Sequence, residues 1–165
     1  MNENLEKLSP KLETSRKGLS LAQYILRRNG VPLGDPRSLR NMLYRSFGAG
    51  TFAGFWQYWN PIWGYGLGKY VYAPLQRGLP SWLALILTFV VSGGLHDLVI
   101  MALRRSVAFI FIPWFFLLGV GVVAGRALGM DFSNQAWNIR AGINLIYIIT
   151  CFGVMMIAKY IFAFP

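Results

Sequence analysis

Histidine and cysteine are almost missing from this sequence, with His96 and Cys151 the only one of each in 165 residues. A single cysteine rules out an internal disulfide, a Cys-rich zinc site and a thioredoxin-like motif, and no metal centre is expected. Acidic side chains are scarce as well, six against sixteen Lys and Arg. The first 18 residues lack an apolar core segment, so no cleavable signal peptide is expected and insertion has to rely on later spans. Neither an internal repeat nor a low-complexity tract is visible.

What the chain has in quantity is oil. It is 55% hydrophobic with a mean hydropathy of +0.45, which places it among membrane proteins. Nine of its sixteen basic residues lie between Lys7 and Arg45, ahead of the first long apolar run. Such a cluster suits a segment held against anionic lipid, where each basic residue contributes on the order of 1 kcal/mol. No groove-reading motif accompanies the charge, so nucleic acid is not an expected partner.

Residues 1–18 read as a polar tail and 19–45 as a basic juxtamembrane segment. Within the latter, Leu19 to Arg28 suits a short amphipathic helix on the membrane surface. Asn29 to Pro36 then breaks it with two glycines and two prolines. Residues 46–165 form the transmembrane domain, with plain spans expected at about 82–103, 107–128 and 143–164. Each holds about 20 mainly apolar residues, enough to cross ~30 Å of hydrocarbon. The expected fold is therefore an all-α membrane protein of three to four transmembrane helices.

Tyr44 to Tyr72 is the least ordinary stretch, with eleven aromatic residues and six glycines in 29 positions. Aromatic rings gather where lipid meets water, but Gln57, Asn60 and Pro61 argue against a simple lipid-facing span. Non-helical backbone survives at membrane depth only inside protein or beside a wet cavity. A broken, re-entrant segment is therefore expected in place of a fourth ordinary span. The basic N-terminal region should stay cytoplasmic; a re-entrant segment then puts Arg104 and Arg105 outside, whereas a full crossing puts them inside. That pair also suits interfacial anchors that snorkel. Gly119, Gly121 and Gly125 include one small-xxx-small spacing suited to close helix contact.

His96 lies 14 residues into the span that starts at Trp82. An ionisable group at that depth is costly and marks a functional site by default; the plainer alternative is a neutral ring tied to a neighbouring helix. Asp97, one position on, points ~100° away on a helix and so serves another helix or a basic side chain. Ser92 shares the face of His96 and either hydrogen-bonds its ring, lines the same cavity, or bonds back to its own helix. Asn60 precedes a proline, which pushes it out of helical geometry and aims its amide at a cavity or at a helix cap.

The stretches Phe55-Trp56-Gln57-Tyr58-Trp59-Asn60, Lys69-Tyr70-Val71-Tyr72-Ala73-Pro74-Leu75, Thr88-Phe89 and Ser92-Gly93-Gly94-Leu95-His96, taken together, resemble the membrane-bound O-acyltransferase (MBOAT) family. The resemblance runs from about Pro36 to the C-terminus and corresponds to the C-terminal portion of the family's longer enzymes. It implies acyl transfer from a thioester donor such as acyl-CoA to a hydroxyl, with no bound cofactor. His96 would be the base, and Asn60 would orient the acceptor or the developing oxyanion. Ser92, Trp59 and Gln57 would line the substrate site. Membrane lipid and either self-association or another membrane subunit are the implied partners. Two other readings stand beside it. One is a non-catalytic subunit derived from that fold, scaffolding a complex or binding lipid; the other is a transporter subunit with His96 and Asp97 in a proton path.

Overall fold

The computed structural model describes residues 18–105 and 109–162, so the expected polar tail lies outside the described residues apart from Gly18. Among those residues every regular element is helical: α1 (Leu21–Asn29), α2 (Ser38–Phe47), α3 (Phe52–Tyr58) and α4 (Pro61–Leu67) come first. A π-helical turn (Gly68–Tyr72) and one further turn, α5 (Ala73–Leu75), lead to three long helices, α6 (Ser81–Arg104), α7 (Phe111–Ala127) and α8 (Trp137–Phe162).

The short helices are started and stopped by local chemistry. Ser20 and Gln23 form a capping box at the start of α1, and Gly30 ends it in the left-handed conformation that glycine adopts without steric cost. In the corner that follows, Arg37 donates to Asp35 and holds its carboxyl down at about 2. The carbonyls of Arg27 and Arg28 accept from Arg45, and Asn41 donates to the Asn29 carbonyl, which lashes α2 to the open end of α1.

Two helices, α6 and α8, are long and apolar enough to cross a membrane, each with a mean hydropathy of 2.0. Only 11% of the apolar stretch of α8 is buried inside the protein, which a soluble core helix could not tolerate. Buried and exposed sets are inverted relative to a soluble domain. Thr88, Ser92, Asp97 and Asn144 are buried while Leu98, Val99, Ile146, Ile149 and Ile157 face outward. With hydrocarbon outside, apolar burial drives little, and close packing plus satisfied polar groups must hold the helices together.

The close packing is visible between α6 and α7. A Cβ on Gly93 would come 2.5 Å from the Phe111 carbonyl oxygen, and one on Gly119 would sit 3.2 Å from the Ile86 Cα. These paired positions make the two helices antiparallel neighbours. Asp97 sets where α7 begins. Its Oδ1 accepts from the N–H groups of Ile110 and Phe111 and its Oδ2 from that of Ile112, at 2.9–3.0 Å. The helix therefore starts four residues later than hydropathy places it and has 17 residues, about 25 Å at 1.5 Å per residue. Residues 106–108 lie outside the described set. In α8 the polar first turn is helical too, so that helix starts at Trp137 and not near residue 143.

The start of α8 pins the aromatic segment. The Asn144 amide donates to the carbonyls of Phe47 and Ala49, the Trp137 indole to that of Tyr44, and Tyr147 stacks on Phe52 at 4.6 Å. From that end of the bundle α3 descends, placing Trp56 against Phe89 and Phe115. The chain reaches the level of Ser92 and His96 at Trp63. It then climbs back through the π-helical turn until Gln76 donates to Ser81, at the start of α6. The segment thus leaves and returns at the same end of the helix bundle. Trp63 reaches about 20 Å along α6.

Candidate active site

His96 is half-buried in the lower half of α6. Its Nδ1 lies 2.7 Å from the Ser92 carbonyl oxygen. A carbonyl only accepts, so Nδ1 carries the proton, and in the neutral ring Nε2 keeps a free lone pair. Among the described residues Nε2 has no hydrogen-bond partner. The ring is held on three sides by aromatics, with centroids 5.9 Å from Trp63, 5.4 Å from Phe111 and 5.1 Å from Phe115.

Ser92 serves both neighbours. Its carbonyl fixes the imidazole, and its hydroxyl accepts from the Trp63 indole N–H at 2.9 Å. Ser92 thus bonds the ring, but through its main-chain carbonyl and not through the hydroxyl.

Asn60 sits at the break between α3 and α4 with φ 40° and ψ 72°, a left-handed conformation costing a non-glycine residue about 1–3 kcal/mol. Pro61 at the first position of α4 enforces the break. The Asn60 Oδ1 accepts from the Trp63 N–H at 3.3 Å, so the residue does cap a helix. Because that contact uses the oxygen, Nδ2 is left as a donor for a bound molecule. The Gln57 amide is oriented the same way, its Oε1 taken by Arg28 at 2.7 Å. Trp59 stacks on Phe55 and meets Phe47 edge-on.

A cavity of about 340 Å³ brings all five candidate residues together: Gln57, Trp59, Asn60, Ser92 and His96 line it. Arg28 and Arg126 also line it, the latter in the last turn of α7, at the end where the aromatic segment enters and leaves. Asn60, Trp63 and His96 border a second cavity of about 240 Å³ as well, whose other walls are Leu95, Val99, Ile100 and Phe111. The imidazole therefore stands where two cavities meet. Two more open cavities of about 430 Å³ lie among the loops at the Trp137 end and touch neither His96 nor Asn60.

Asp97 is 1% exposed, and its carboxylate is taken up by the start of α7, the helix that carries Phe111 and Phe115. Trp63, Arg28 and Trp56 are among the residues of the site not singled out from sequence. Trp63 was one aromatic among eleven, and Arg28 lay in a basic cluster read as a lipid contact. Trp56 was only part of a motif, yet its ring borders the 340 Å³ cavity, with its indole Nε1 buried and without a partner among the described residues. Nothing in their local pattern distinguishes them; only the fold of the segment does.

Fold and site together define an integral membrane protein of helices, built around a histidine at the junction of two cavities. The family described as MBOAT, membrane-bound O-acyltransferase family, matches residues 30–158, most of the chain. This chain belongs to that family. Comparison with curated proteins and with solved structures returned no match.

Proposed function

We propose that the chain is an O-acyltransferase that moves an acyl group from a thioester donor, such as acyl-CoA, to a hydroxyl, with His96 as general base. The observation that carries this reading is the contact of His96 Nδ1 with the Ser92 carbonyl, at the junction of two cavities. The Nδ1 proton is committed to Ser92, and the free Nε2 lone pair belongs to a ring that borders two separate cavities. As the acceptor oxygen attacks the thioester carbonyl, its proton passes to Nε2. The C–S bond then breaks, and the proton goes on to the departing thiolate. Asn60 Nδ2 supplies a donor for the carbonyl oxygen as it gains charge. Arg28 and Arg126, at the rim of the larger cavity, suit the phosphates of a nucleotide-bearing donor. The aromatic walls keep water from the thioester.

Supporting the orientation of the site is the distribution of charge. Arg28, Arg45, Arg126 and Arg140 gather at the end of the bundle where the aromatic segment enters, which by the positive-inside rule makes that end cytoplasmic. In this arrangement α1 lies along the interface and the aromatic segment re-enters. The outward apolar faces of α8 serve lipid, a second copy or another membrane subunit. A proton path through Asp97 is disfavoured because its carboxylate is engaged by three N–H groups.

The test is acyl transfer by the protein in vesicles, given labelled acyl-CoA and a panel of hydroxyl acceptors. His96→Ala should lower turnover by about 10²–10⁴-fold, the usual worth of a positioned base, with insertion and helix content unchanged. If His96→Ala keeps full biological activity, the chain is instead a non-catalytic member that scaffolds a complex or holds lipid.

A further inference from the structure

Arg140 stands where a helix disfavours a cation. It lies in the first turn of α8, at the positive end of that helix's dipole. The side chain is half-buried, and its Nε is enclosed without a partner among the described residues. Together with Arg45 of α2 it lines a cavity of about 430 Å³ between the start of α8 and the entry of the aromatic segment, with Thr51, Tyr58 and Ser133 as further polar walls. Arg45 spends Nη1 on the carbonyls of Arg27 and Arg28 and lies over the Tyr58 ring at 5.6 Å, which leaves its Nε and Nη2 as donors. Among the described residues no carboxylate lines this cavity. The three that are described are engaged elsewhere: Asp35 by Arg37, Asp97 by the start of α7, and Asp131 by Ser133. Two guanidinium groups thus share one space with no described counter-charge.

The level of this cavity in the membrane points to the source of the missing anion. With 26 residues α8 is about 39 Å long against ~30 Å of hydrocarbon, so its polar first turn stands among lipid headgroups. Trp137 and Tyr44, stacked at 5.3 Å and both exposed, mark the same level as interfacial aromatics do. We propose that Arg45 and Arg140 clasp the phosphate of an anionic phospholipid. The planar fork of a guanidinium matches phosphate oxygens, and the two forks come from different helices. The lipid therefore bridges α2 and α8 at the joint that Trp137 and Asn144 make with the carbonyls of Tyr44, Phe47 and Ala49. Its cavity shares only Gln57 with the larger cavity beside His96. The lipid is thus neither donor nor acceptor, and its site does not depend on the acyl-transfer reading.

The experiment takes the full chain, delipidated in neutral detergent, and adds dioleoyl phosphatidylglycerol, dioleoyl phosphatidylcholine, glycerol 3-phosphate or coenzyme A. Thermal unfolding and the lipid retained per chain, by mass spectrometry, are the readouts. Phosphatidylglycerol should raise Tm by several degrees and saturate at about one lipid per chain, and the other three should not. Arg140→Gln should weaken that binding about tenfold, and Arg140→Lys, which keeps the charge but loses the fork, by less. Arg40→Gln, an exposed arginine of α2 outside the cavity, should leave it unchanged. Without added lipid Arg140→Gln should keep or raise Tm, because it removes an unneutralised cation from a helix N-terminus. An equal loss in Arg40→Gln would reduce the binding to diffuse attraction by a basic surface and overturn the proposal. So would saturation by glycerol 3-phosphate or coenzyme A, which would give the cavity to a soluble phosphate or to the donor. A lower Tm for lipid-free Arg140→Gln would mean that an anion of the chain itself, such as Glu3, Glu6 or Glu13, fills the cavity, and would overturn it too.

Discussion

At the scale of single residues, the neighbouring pair His96 and Asp97 divides its work between two helices. One turns toward the cavities; the other turns to α7 and accepts three backbone N–H groups. Hydrogen bonds to a charged acceptor are worth about 1.5–3 kcal/mol each, and stranding buried donors costs further. Asp97→Ala should therefore destabilise the protein by about 3 kcal/mol or more, measured as thermal unfolding in mild detergent. Asp97→Asn keeps one acceptor oxygen and should cost less. Because α7 carries Phe111 and Phe115 against the imidazole, any folded Asp97 variant should also lose turnover more than it loses substrate affinity. An Asp97→Asn protein with wild-type stability would show that the cap is dispensable. The carboxylate's need for another helix was legible from the ~100° offset of adjacent helical residues. Which helix it caps was not, because that depends on how the chain turns after Arg105.

Among elements, the pairing of α6 and α7 depends on a position with no side chain. Gly93 brings α6 against the first turn of α7 so closely that a methyl group would strike the Phe111 carbonyl oxygen. Overpacking of this kind costs about 1–3 kcal/mol, since neither backbone can yield without moving the other. Gly93→Ala should accordingly lower thermal stability in detergent, and Gly94→Ala, whose Cβ would meet only Ile112 at 3.8 Å, should be nearly neutral. Equal effects at both positions would refute the close contact. Hydropathy located α6 to within one residue at each end, because its boundaries coincide with Pro80 and the Arg104-Arg105 pair. It misplaced the starts of α7 and α8 for a common reason. Those starts are set by tertiary capping and by the polar first turn of α8, neither of which changes the run of apolar residues. Gly93, the tightest contact, lies outside the 119, 121 and 125 set, of which only Gly119 meets α6, its Cβ position 3.2 Å from the Ile86 Cα. Gly121 instead faces Phe52 and Cys151, and Gly125 faces Tyr147.

For the whole molecule, the decisive feature is the path of residues 46–76. The broken helix was legible from Asn60-Pro61 and from polar residues among the aromatics. A re-entrant course was expected from the same residues, but not the contacts that hold its two ends, which are as distant as Asn144 with Ala49 and Gln76 with Ser81. With both ends of the segment beside the starts of α6 and α8, positions 51, 78 and 133 should share one side of the membrane and position 105 the other. Four single-cysteine proteins, Gly78→Cys, Ser133→Cys, Arg105→Cys and Thr51→Cys, each on a Cys151→Ser background, provide the measurement in sealed, oriented vesicles. A membrane-impermeant thiol reagent should label the first, second and fourth from one side and Arg105→Cys only from the other. Labelling of Thr51→Cys and Gly78→Cys from opposite sides would mean that the aromatic segment crosses the bilayer. His96 would then lie nearer the opposite surface, and the basic rim of Arg28 and Arg126 would no longer face the same compartment as the start of α6.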